Sequence, residues 1–234
     1  MRLDRFICKS TELNRDQATR AIEAGEVVVN GEMVTEARQQ VHESNLISLN
    51  GESLTPRPSR YLMLHKTAGT VCSNSDGHYP SVLNGLDIER VEELHIAGRL
   101  DADTTGLVLV TDDGRWSFNI ISPKMHATKV YRVGLRDPLA DGVASRFAEG
   151  LWLQGEEKPT LPATLQQVTE REVLLSITEG RYHQVKRMFA AVGNRVVSLH
   201  REQVGEIRLD IAEGEWRYLT ETEVACFAGL SQLD

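Results

Sequence analysis

The chain has 234 residues, of which 41% are hydrophobic and 26% are charged, a composition typical of a globular protein and not of a disordered or fibrous one. No window approaches the roughly 20 apolar residues of a membrane-spanning helix, and the start MRLDRFICKS is too charged for a signal peptide, so we expect a cytoplasmic protein without a membrane partner. The net charge of −8, taken alone, argues against a nucleic-acid partner.

Residues 1–54 have the pattern of a small separate module. Apolar residues at helical spacing indicate a first helix, and a second is predicted to begin at Asn14, capped together with Gln17 in a capping box, and to end at Gly25. The residues expected on the buried faces of the two helices are Leu3, Phe6, Ile7, Ala18, Ala21 and Ile22. Asn-Gly pairs in VVVNGEMV and LISLNGESL then give hairpin signals. We expect a compact α+β unit with the order helix, helix, hairpin, strand.

This pattern resembles the S4 RNA-binding domain through RLDRFI at 2–7, NRDQATRAIEAGEVVVNGEMV at 14–34 and the closing LISLNGESL. In that family the first two helices present basic side chains to RNA, and the matching residues here are Arg2, Arg5, Arg15 and Arg20. From the residues alone, the exposed faces of amphipathic helices would explain these arginines better. Three acids, Asp4 among them, dilute the basic patch.

Residues 55–60, with Pro56 and Pro58, predict a short stiff linker, and residues 61–234 a larger second domain. Strands are predicted at 61–65, 106–110, 129–135, 163–168, 172–178 and 195–200. Helices are predicted at 115–121, 139–149, 182–192 and 220–229, the last opening with a capping box. Because the strands do not alternate one for one with helices, we expect an α+β fold with a mixed, mainly antiparallel sheet flanked by helices.

The stretch AGRLDADTTGLVLVTDDG, residues 97–114, places four aspartates around a short apolar strand. Asp101 stands in a polar loop before that strand, and on residue chemistry alone a catalytic loop and a structural turn explain it equally well. Asp101 and Asp103 could also form an acid–base pair or share a divalent metal, but D-x-D is too short to be specific. The sequence of residues 112–114, Asp-Asp-Gly, is more easily explained as a hairpin turn after the strand.

The charges are distributed unevenly along the chain, which weakens the conclusion drawn from the net charge. Residues 181–201 contain five Arg or Lys and no acid, and residues 1–20 contain five bases against three acids. Residues 202–234 contain eight acids and two bases. Local fields attract phosphates, so the two basic segments are compatible with RNA binding, although a single run of like charge is more often a solvated face.

The motif GRLDADTTGL at 98–107 is similar to the central motif of the pseudouridine synthases, in the RsuA-type branch that acts on small-subunit ribosomal RNA. The stretches that match this branch in the same order are YLMLHKTAGTVCS at 61–73, SPKMHATKVYRV at 122–133 and EGRYHQVKRMFAAVGNRVVSLHR at 179–201. With the S4-like start, the resemblance covers nearly the whole chain. One departure is Thr67, where the family usually has proline, and we expect it to alter local rigidity more than chemistry.

The resemblance implies a reaction in which uracil is detached from its ribose, rotated and rejoined through carbon, giving pseudouridine. No redox change or group loss occurs, so neither a cofactor nor a metal is implied. The implied partner is 16S ribosomal RNA, with uridine 516 as the expected target, a partly assembled particle as the expected substrate and a monomeric enzyme. The alternatives are a catalytically silent RNA-binding assembly factor and a metal-dependent hydrolase that uses Asp101 and Asp103.

Four residues take their roles from the resemblance. Asp101 falls on the catalytic aspartate, which acts on the sugar as nucleophile or base, and Lys186 falls where related synthases carry a basic residue that pairs with it. Arg99 matches the arginine that enters the position vacated by the flipped base, where a planar guanidinium can stack and bind phosphate. Tyr131 matches the tyrosine that forms an aromatic floor under the uracil. For an isolated tyrosine in a strand, core packing would be the commoner explanation.

The predicted helix 182–192 carries an apolar stripe formed by Val185, Met188, Phe189 and Val192. At about 100° per residue, His183 and Arg187 lie on the opposite side and Lys186 on the flank, from which it can reach a pocket edge. We expect a buried ion pair between Lys186 and Asp101, although from the residues alone a lysine extended to water would be preferred. Arg181 and Arg187 are the next candidates for this pair. Further RNA contacts near the site are expected from Arg181, His183, Arg187, Arg195, His200 and Arg201.

Overall fold

The computed structural model describes residues 1–42 and 44–228, which form two compact units divided between Ser59 and Arg60. The predicted linker, residues 55–60, is divided between these units. Arg57 packs within the first unit, where its guanidinium donates to the carbonyl oxygens of Cys8 (2.8 Å) and Thr11 (3.0 Å). Arg60 belongs to the second unit. Each unit has its own hydrophobic core and is described by itself.

The first unit is an antiparallel sheet covered by two helices. Its elements are α1 (Leu3–Ser10), α2 (Arg15–Glu23), β1 (Val27–Val29), β2 (Glu32–Met33), β3 (Ile47–Leu49) and β4 (Glu52–Ser53). The strands pair in the order β2-β1-β3-β4, so the chain forms two hairpins where we predicted one hairpin and a strand. Both turns use Asn-Gly pairs in left-handed conformations, which fit the twist of the strands. The predicted capping box of α2 is present, with Asn14 and Gln17 bonded reciprocally at 2.9 and 3.0 Å.

The second unit is built on one large sheet. Its strands are β5 (Tyr61–Lys66), β6 (His95–Ala97), β7 (Thr105–Thr111), β8 (Lys129–Leu135), β9 (Thr164–Gln167), β10 (Glu172–Ile177), β11 (Val196–Val204), β12 (Ile207–Arg208) and β13 (Trp216–Tyr218). Its helices are α3 (Gly114–Ile121), α4 (Val143–Glu149), α5 (Gln184–Ala191) and α6 (Glu221–Ala228). None of the described helices is long and apolar enough to cross a membrane.

The sheet has the strand order β13-β5-β7-β11-β8-β10-β9, with β6 paired to β7 and β12 to β11. Among the described strands every pairing is antiparallel except β7 with β11, where His200 lies opposite Thr105. The predicted class, a mainly antiparallel mixed sheet flanked by helices, is confirmed. Because β7 and β11 run side by side in the same direction, the segments before them arrive at the same edge of the sheet. These segments are the aspartate loop 101–104 and helix α5.

Strand β7 lies at the centre of the second unit. Its residues Leu107 to Val110 are fully buried, because the strand is covered on both faces. Val108 and Val110 pack into the larger core cluster with Phe147 and Phe189, whereas Leu107 and Leu109 pack into a second cluster on the other face. The loop that precedes β7 is therefore attached to the most buried strand of the sheet.

Two local predictions are wrong. Residues 112–114 do not form a hairpin turn: Asp113 caps α3, and its Oδ1 accepts hydrogen bonds from the amides of Arg115 (2.9 Å) and Trp116 (3.1 Å). An aspartate satisfies free amides equally well at a turn and at a helix start. His183 is not within α5, which begins at Gln184, because its backbone is left-handed with φ of 47°.

One other helix begins later than predicted, whereas the predicted start of the last helix is confirmed. The helix predicted at 139–149 begins only at Val143, after Gly142 in a left-handed conformation. The predicted capping box of α6 is present, since the Thr220 amide donates to Glu223 (2.8 Å) and the Glu223 amide to Thr220 Oγ1 (3.3 Å). The helix is described as far as Ala228, so the predicted last residue, 229, lies outside the described residues.

Candidate active site

A cleft of about 110 Å³ opens at the sheet edge where the aspartate loop and the N-terminus of α5 meet. The predicted site residues that line it are Arg99, Asp101, Tyr131, Arg181, His183 and Lys186. They come from the loop before β7, from β8 and from the start of α5. The structure therefore brings together residues separated by up to 87 positions, counted from Arg99 to Lys186.

The carboxylate of Asp101 faces a cation in this cleft. Lys186 Nζ lies 3.0 Å from Asp101 Oδ2 and 2.7 Å from Asp103 Oδ1, so one ammonium holds two carboxylates. His183 Nε2 lies 3.5 Å from the other oxygen of Asp101. The side chains of Asp101 and Lys186 are 31% and 29% exposed, so the pair is half-buried and not the buried pair that we expected. The reason is that the cleft opens to the surface.

The charges in the cleft support one another. Burial alone lowers the pKa of Lys186, but hydrogen bonds to Asp103 and Asp101 outweigh burial and raise it above the usual value. The hydrogen bond from Lys186 in turn holds the pKa of Asp103 below its usual value. Lys186 is thus a permanent cation in the neutral pH range. Of the two carboxylates that it binds, that of Asp101 is half-buried and that of Asp103 is 73% exposed.

Tyr131 and Arg99 complete the walls of the cleft. Tyr131 is only 8% exposed and stands on β8, with its ring against the larger core cluster. Arg99 is exposed at the mouth, two residues before Asp101. The cleft therefore combines a fixed aromatic surface, a carboxylate paired with a cation, and a guanidinium at the entrance.

Lys66, to which the sequence motifs assign no role, supports the backbone of the aspartate loop. It is 1% exposed, and its Nζ donates to the carbonyl oxygens of Thr67 (2.9 Å), Ala102 (3.1 Å) and Thr104 (2.8 Å). The turn itself is closed by the amide of Thr104, which donates to the Asp101 carbonyl at 3.1 Å. One buried ammonium therefore fixes the backbone on both sides of Asp103. Burial lowers the pKa of Lys66.

The predicted RNA-facing position of Arg201 is wrong. Its side chain is 2% exposed, and the guanidinium donates to the carbonyl oxygens of Leu107 (2.8 Å) and Gly98 (2.8 Å). Arg201 lies opposite Tyr131 in the pairing of β11 with β8, which places the two side chains on the same face of the sheet. Gly106 is required for this packing, because its φ is 110° and a Cβ there would lie 2.3 Å from the Arg201 carbonyl oxygen. Arg201 thus anchors both ends of the loop that carries Asp101.

Arg181 and Arg187 do not contact Asp101 in the described part of the chain, so neither replaces Lys186 in the ion pair. Arg187 donates to Glu156 Oε1 (2.8 Å) and to the Gln154 carbonyl (2.8 Å). Arg181 donates to Glu179 Oε2 at 3.0 Å and to two carbonyl groups at 158 and 159. These bonds hold the segment 154–159 against the start of α5. Contacts of these two arginines with RNA stay a prediction.

Two other predicted RNA contacts lie apart from the cleft. His200 Nδ1 lies 2.7 Å from Thr105 Oγ1, and its register places it on the sheet face opposite to Tyr131. Burial, together with the neighbouring His65, lowers the pKa of His200, so the ring is neutral near pH 7. Arg195 is exposed just before β11.

The four arginines predicted to bind RNA in the first unit fall into two kinds. Arg2 and Arg15 both bind Asp4, with Arg2 Nη2 at 2.5 Å and Arg15 Nε at 3.2 Å from Oδ2, and the Asp4 side chain is 1% exposed. Arg5 and Arg20 are exposed on α1 and α2. Asp4, which we expected to dilute the basic patch, is therefore the buried acceptor that orients two of its four arginines.

Within residues 1–42 and 44–228, no group of three or more His, Cys, Asp or Glu side chains is placed to hold a metal ion. Asp101 and Asp103, the pair considered for a metal, instead share Lys186.

Comparisons with known proteins show the family to which the chain is related. The family model described as RNA pseudouridylate synthase matches residues 60–191, and the S4 domain model matches residues 1–47. Ribosomal small subunit pseudouridine synthase A of Vibrio cholerae is 48% identical over 227 residues, covering 96% of this chain and 98% of that protein. The proteins of the same name from Pasteurella multocida and Escherichia coli K12 are each 50% identical, covering 97% and 96% of this chain and 99% of their own length. A solved crystal structure described as a pseudouridylate synthase is 47% identical, with a TM-score of 0.72, over 97% of this chain and 99% of its own.

Proposed function

The chain belongs to the RNA pseudouridylate synthases, and from this premise we propose that it converts one uridine of small-subunit (16S) ribosomal RNA into pseudouridine. The substrate rests on the names of relatives that match over nearly the whole chain. The observation that supports the chemistry best is the Asp101 carboxylate, 3.0 Å from Lys186 in a cleft lined by Tyr131. The target within that RNA is uridine 516.

Asp101 acts on the sugar of the target nucleotide, as nucleophile or base. The N1–C1′ bond breaks, the uracil turns, and C5 bonds to C1′, while the proton on C5 leaves and N1 gains one. Lys186 holds the Asp101 side chain by its Oδ2, which leaves Oδ1 on the side of His183. The ion pair orients the carboxylate and balances its charge when substrate excludes water from the cleft. The atoms balance without a cofactor.

The uridine reaches Asp101 by leaving its stack. Base extrusion costs a few kcal/mol of stacking, which compensating contacts must offset. Arg99, exposed at the mouth, fills the vacated position, and Tyr131 provides the aromatic surface for the extruded uracil. His183, Arg181 and Arg187 add positive or polar groups around the entrance. Such contacts with the backbone position the RNA and give affinity that depends on salt.

The first unit contributes further RNA contacts through Arg2, Arg5, Arg15 and Arg20. Asp4 fixes two of them, which reduces the side-chain entropy lost on binding. We place the enzyme in the cytoplasm as a monomer that acts on a partly assembled small-subunit particle.

The test measures tritium release from ribosomal RNA labelled at C5 of uracil. Asp101→Asn should lower the rate by roughly 10³-fold or more, because it removes the reacting group. Asp103→Asn is the matched control, because it removes the other carboxylate charge that Lys186 binds, at an exposed position. It should change the rate by less than about fivefold. Circular dichroism and RNA binding should be unchanged in both variants.

The outcome also separates the enzyme from a silent assembly factor. If neither wild type nor Asp101→Asn releases tritium from naked RNA or from assembling particles, while both still bind RNA, the assembly factor is favoured. Equal loss in the Asp103 and Asp101 variants would assign the effect to Lys186 and its charge balance. Mapping pseudouridines in ribosomal RNA from cells with and without the gene then tests uridine 516.

A further inference from the structure

One polar group in the cleft has no role in the proposed chemistry. Thr104 lines the cleft beside Asp101 and is 1% exposed. Its Oγ1 is buried and has no hydrogen-bond partner among the described residues. A buried hydroxyl without a hydrogen-bond partner destabilises the folded protein.

The neighbouring residues do not satisfy this hydroxyl. The amide and carbonyl of Thr104 are both used, the first in the turn with Asp101 and the second by Lys66. Thr105 directs its hydroxyl to His200, on the face of the sheet opposite to Tyr131. The backbone of Thr104 is thus fixed by two bonds, while its buried hydroxyl, on a residue that borders the cleft, has no hydrogen-bond partner among the described residues.

We propose that Thr104 Oγ1 is a binding site for the ribose 2′-hydroxyl of the target uridine. The inference rests on the proposed function and on which part of the nucleotide moves during the reaction. The uracil must turn during the reaction, so a bond to its edge would have to break. The ribose stays in place next to Asp101. Asp101 and Thr104 are three residues apart in the same turn. A fixed hydroxyl at this position is suited to the part of the substrate that does not move, and the 2′-hydroxyl can both donate and accept.

The isosteric change Thr104→Val removes the hydroxyl and keeps the shape. Since the hydroxyl has no partner in the free protein, the variant should melt about 2–4 °C higher than wild type. It should also lose about tenfold in kcat/KM, because one hydrogen bond to substrate is gone. Thr104→Ser should restore activity. A gain in stability together with a loss of activity is not expected of a residue with a merely structural role.

Thr111 provides the matched control at the far end of the same strand. It is fully buried, but its Oγ1 donates to the Arg60 carbonyl (2.6 Å) and accepts from the Asp113 amide (3.0 Å). Thr111→Val should therefore melt lower than wild type and keep kcat/KM within about twofold, since no substrate bond is lost.

A double-mutant cycle identifies the substrate group. Wild type and Thr104→Val are compared on RNA with uridine or 2′-deoxyuridine at the target position. The tenfold loss seen with uridine should shrink to less than about twofold with 2′-deoxyuridine, because the partner is already absent. If the 2′-deoxy RNA is inert, the same cycle is measured as equilibrium binding.

The proposal is overturned if Thr104→Val has wild-type kcat/KM, if it melts lower than wild type, or if it loses the same factor on both RNAs. The last result would show that the hydroxyl of Thr104 does not contact the 2′-hydroxyl. Failure of the proposed function looks different: wild-type protein would show no turnover of the uridine RNA, while the binding cycle and the melting temperatures would still report on Thr104.

Discussion

The loop that carries Asp101 depends on one buried ammonium, and Lys66→Met tests this dependence. Methionine has a similar length and fills the same space, but it offers no donor to the three carbonyl groups that Lys66 Nζ contacts. The bond to Thr104 is fully buried, whereas the other two are partly so. The variant should fold, but with a weakened loop.

The size of the effect follows from these contacts. A buried carbonyl left without a donor costs about 1–3 kcal/mol, and the two partly solvated carbonyls cost less because water can reach them. Against this, methionine removes the desolvation of a buried cation, which offsets part of the loss. We expect a net loss of about 2 kcal/mol in the free energy of unfolding. Activity should fall about tenfold or more, since a small displacement of a reacting group is costly.

Urea denaturation and tritium release provide the measurements, with exposed Lys124→Met as the matched control. Burial lowers the pKa of Lys66 from 10.5, so between the lowered pKa and 10.5 the unfolded chain binds more protons at this site than the folded protein. Wild type should therefore gain stability relative to Lys66→Met as pH rises through that window. A variant as stable and as active as wild type at all pH values would show that Lys66 does not support the loop.

Three further predictions concern other parts of the molecule. Burial, and then the nearby Arg201, lower the pKa of Lys129 to about 8, so wild type should gain up to about 3 kcal/mol over Lys129→Met in urea denaturation as pH rises from about 8 to 10.5; a flat difference would contradict this. Gly106→Ala should lose about 3 kcal/mol or more, measured the same way, because of its φ of 110° and the close Arg201 carbonyl; an unchanged urea midpoint would disprove the packing argument. Replacing Arg5 and Arg20 together by glutamine should lower the slope of log Kd against log salt for RNA binding by about 1–2, and an unchanged slope would remove them from the interface.

The sequence predicted correctly those parts of the fold where a local residue pattern is compatible with only one local structure. Asn-Gly between apolar runs specified the turns of the first unit, and Asn14 with Gln17 specified a helix start. The aspartates at 112 and 113 were ambiguous, because the same carboxylate chemistry closes a turn or caps a helix. The choice between a turn and a helix cap depends on the element that follows, which is helix α3 and not a strand. The residues at 112–114 do not specify that element.

The buried charges of the site were harder to predict, for different reasons. Lys66 ends a strand that is covered on both faces, so alternation of apolar and polar residues carries no signal there. Arg201 did have a signal: it follows Leu199 at the strand period of two, and Leu199 is buried. The basic run around it suggested a solvent-facing surface instead. Thr104 could not be recognised, because an unpartnered hydroxyl is a property of three-dimensional packing.

The parallel pairing of β7 with β11 has a consequence for the order of folding. Asp101 and Lys186 are 85 positions apart, and the parallel pairing of β7 with β11 places the segments that carry them at the same end of these two strands. Contacts of such long sequence separation are slow to form, because the closure entropy of the intervening loop must be overcome first. A nascent chain that ends before residue 186 therefore has its aspartate without the counter-charge. The ion pair between Asp101 and Lys186 thus belongs to the contacts that form late in the folding of this unit.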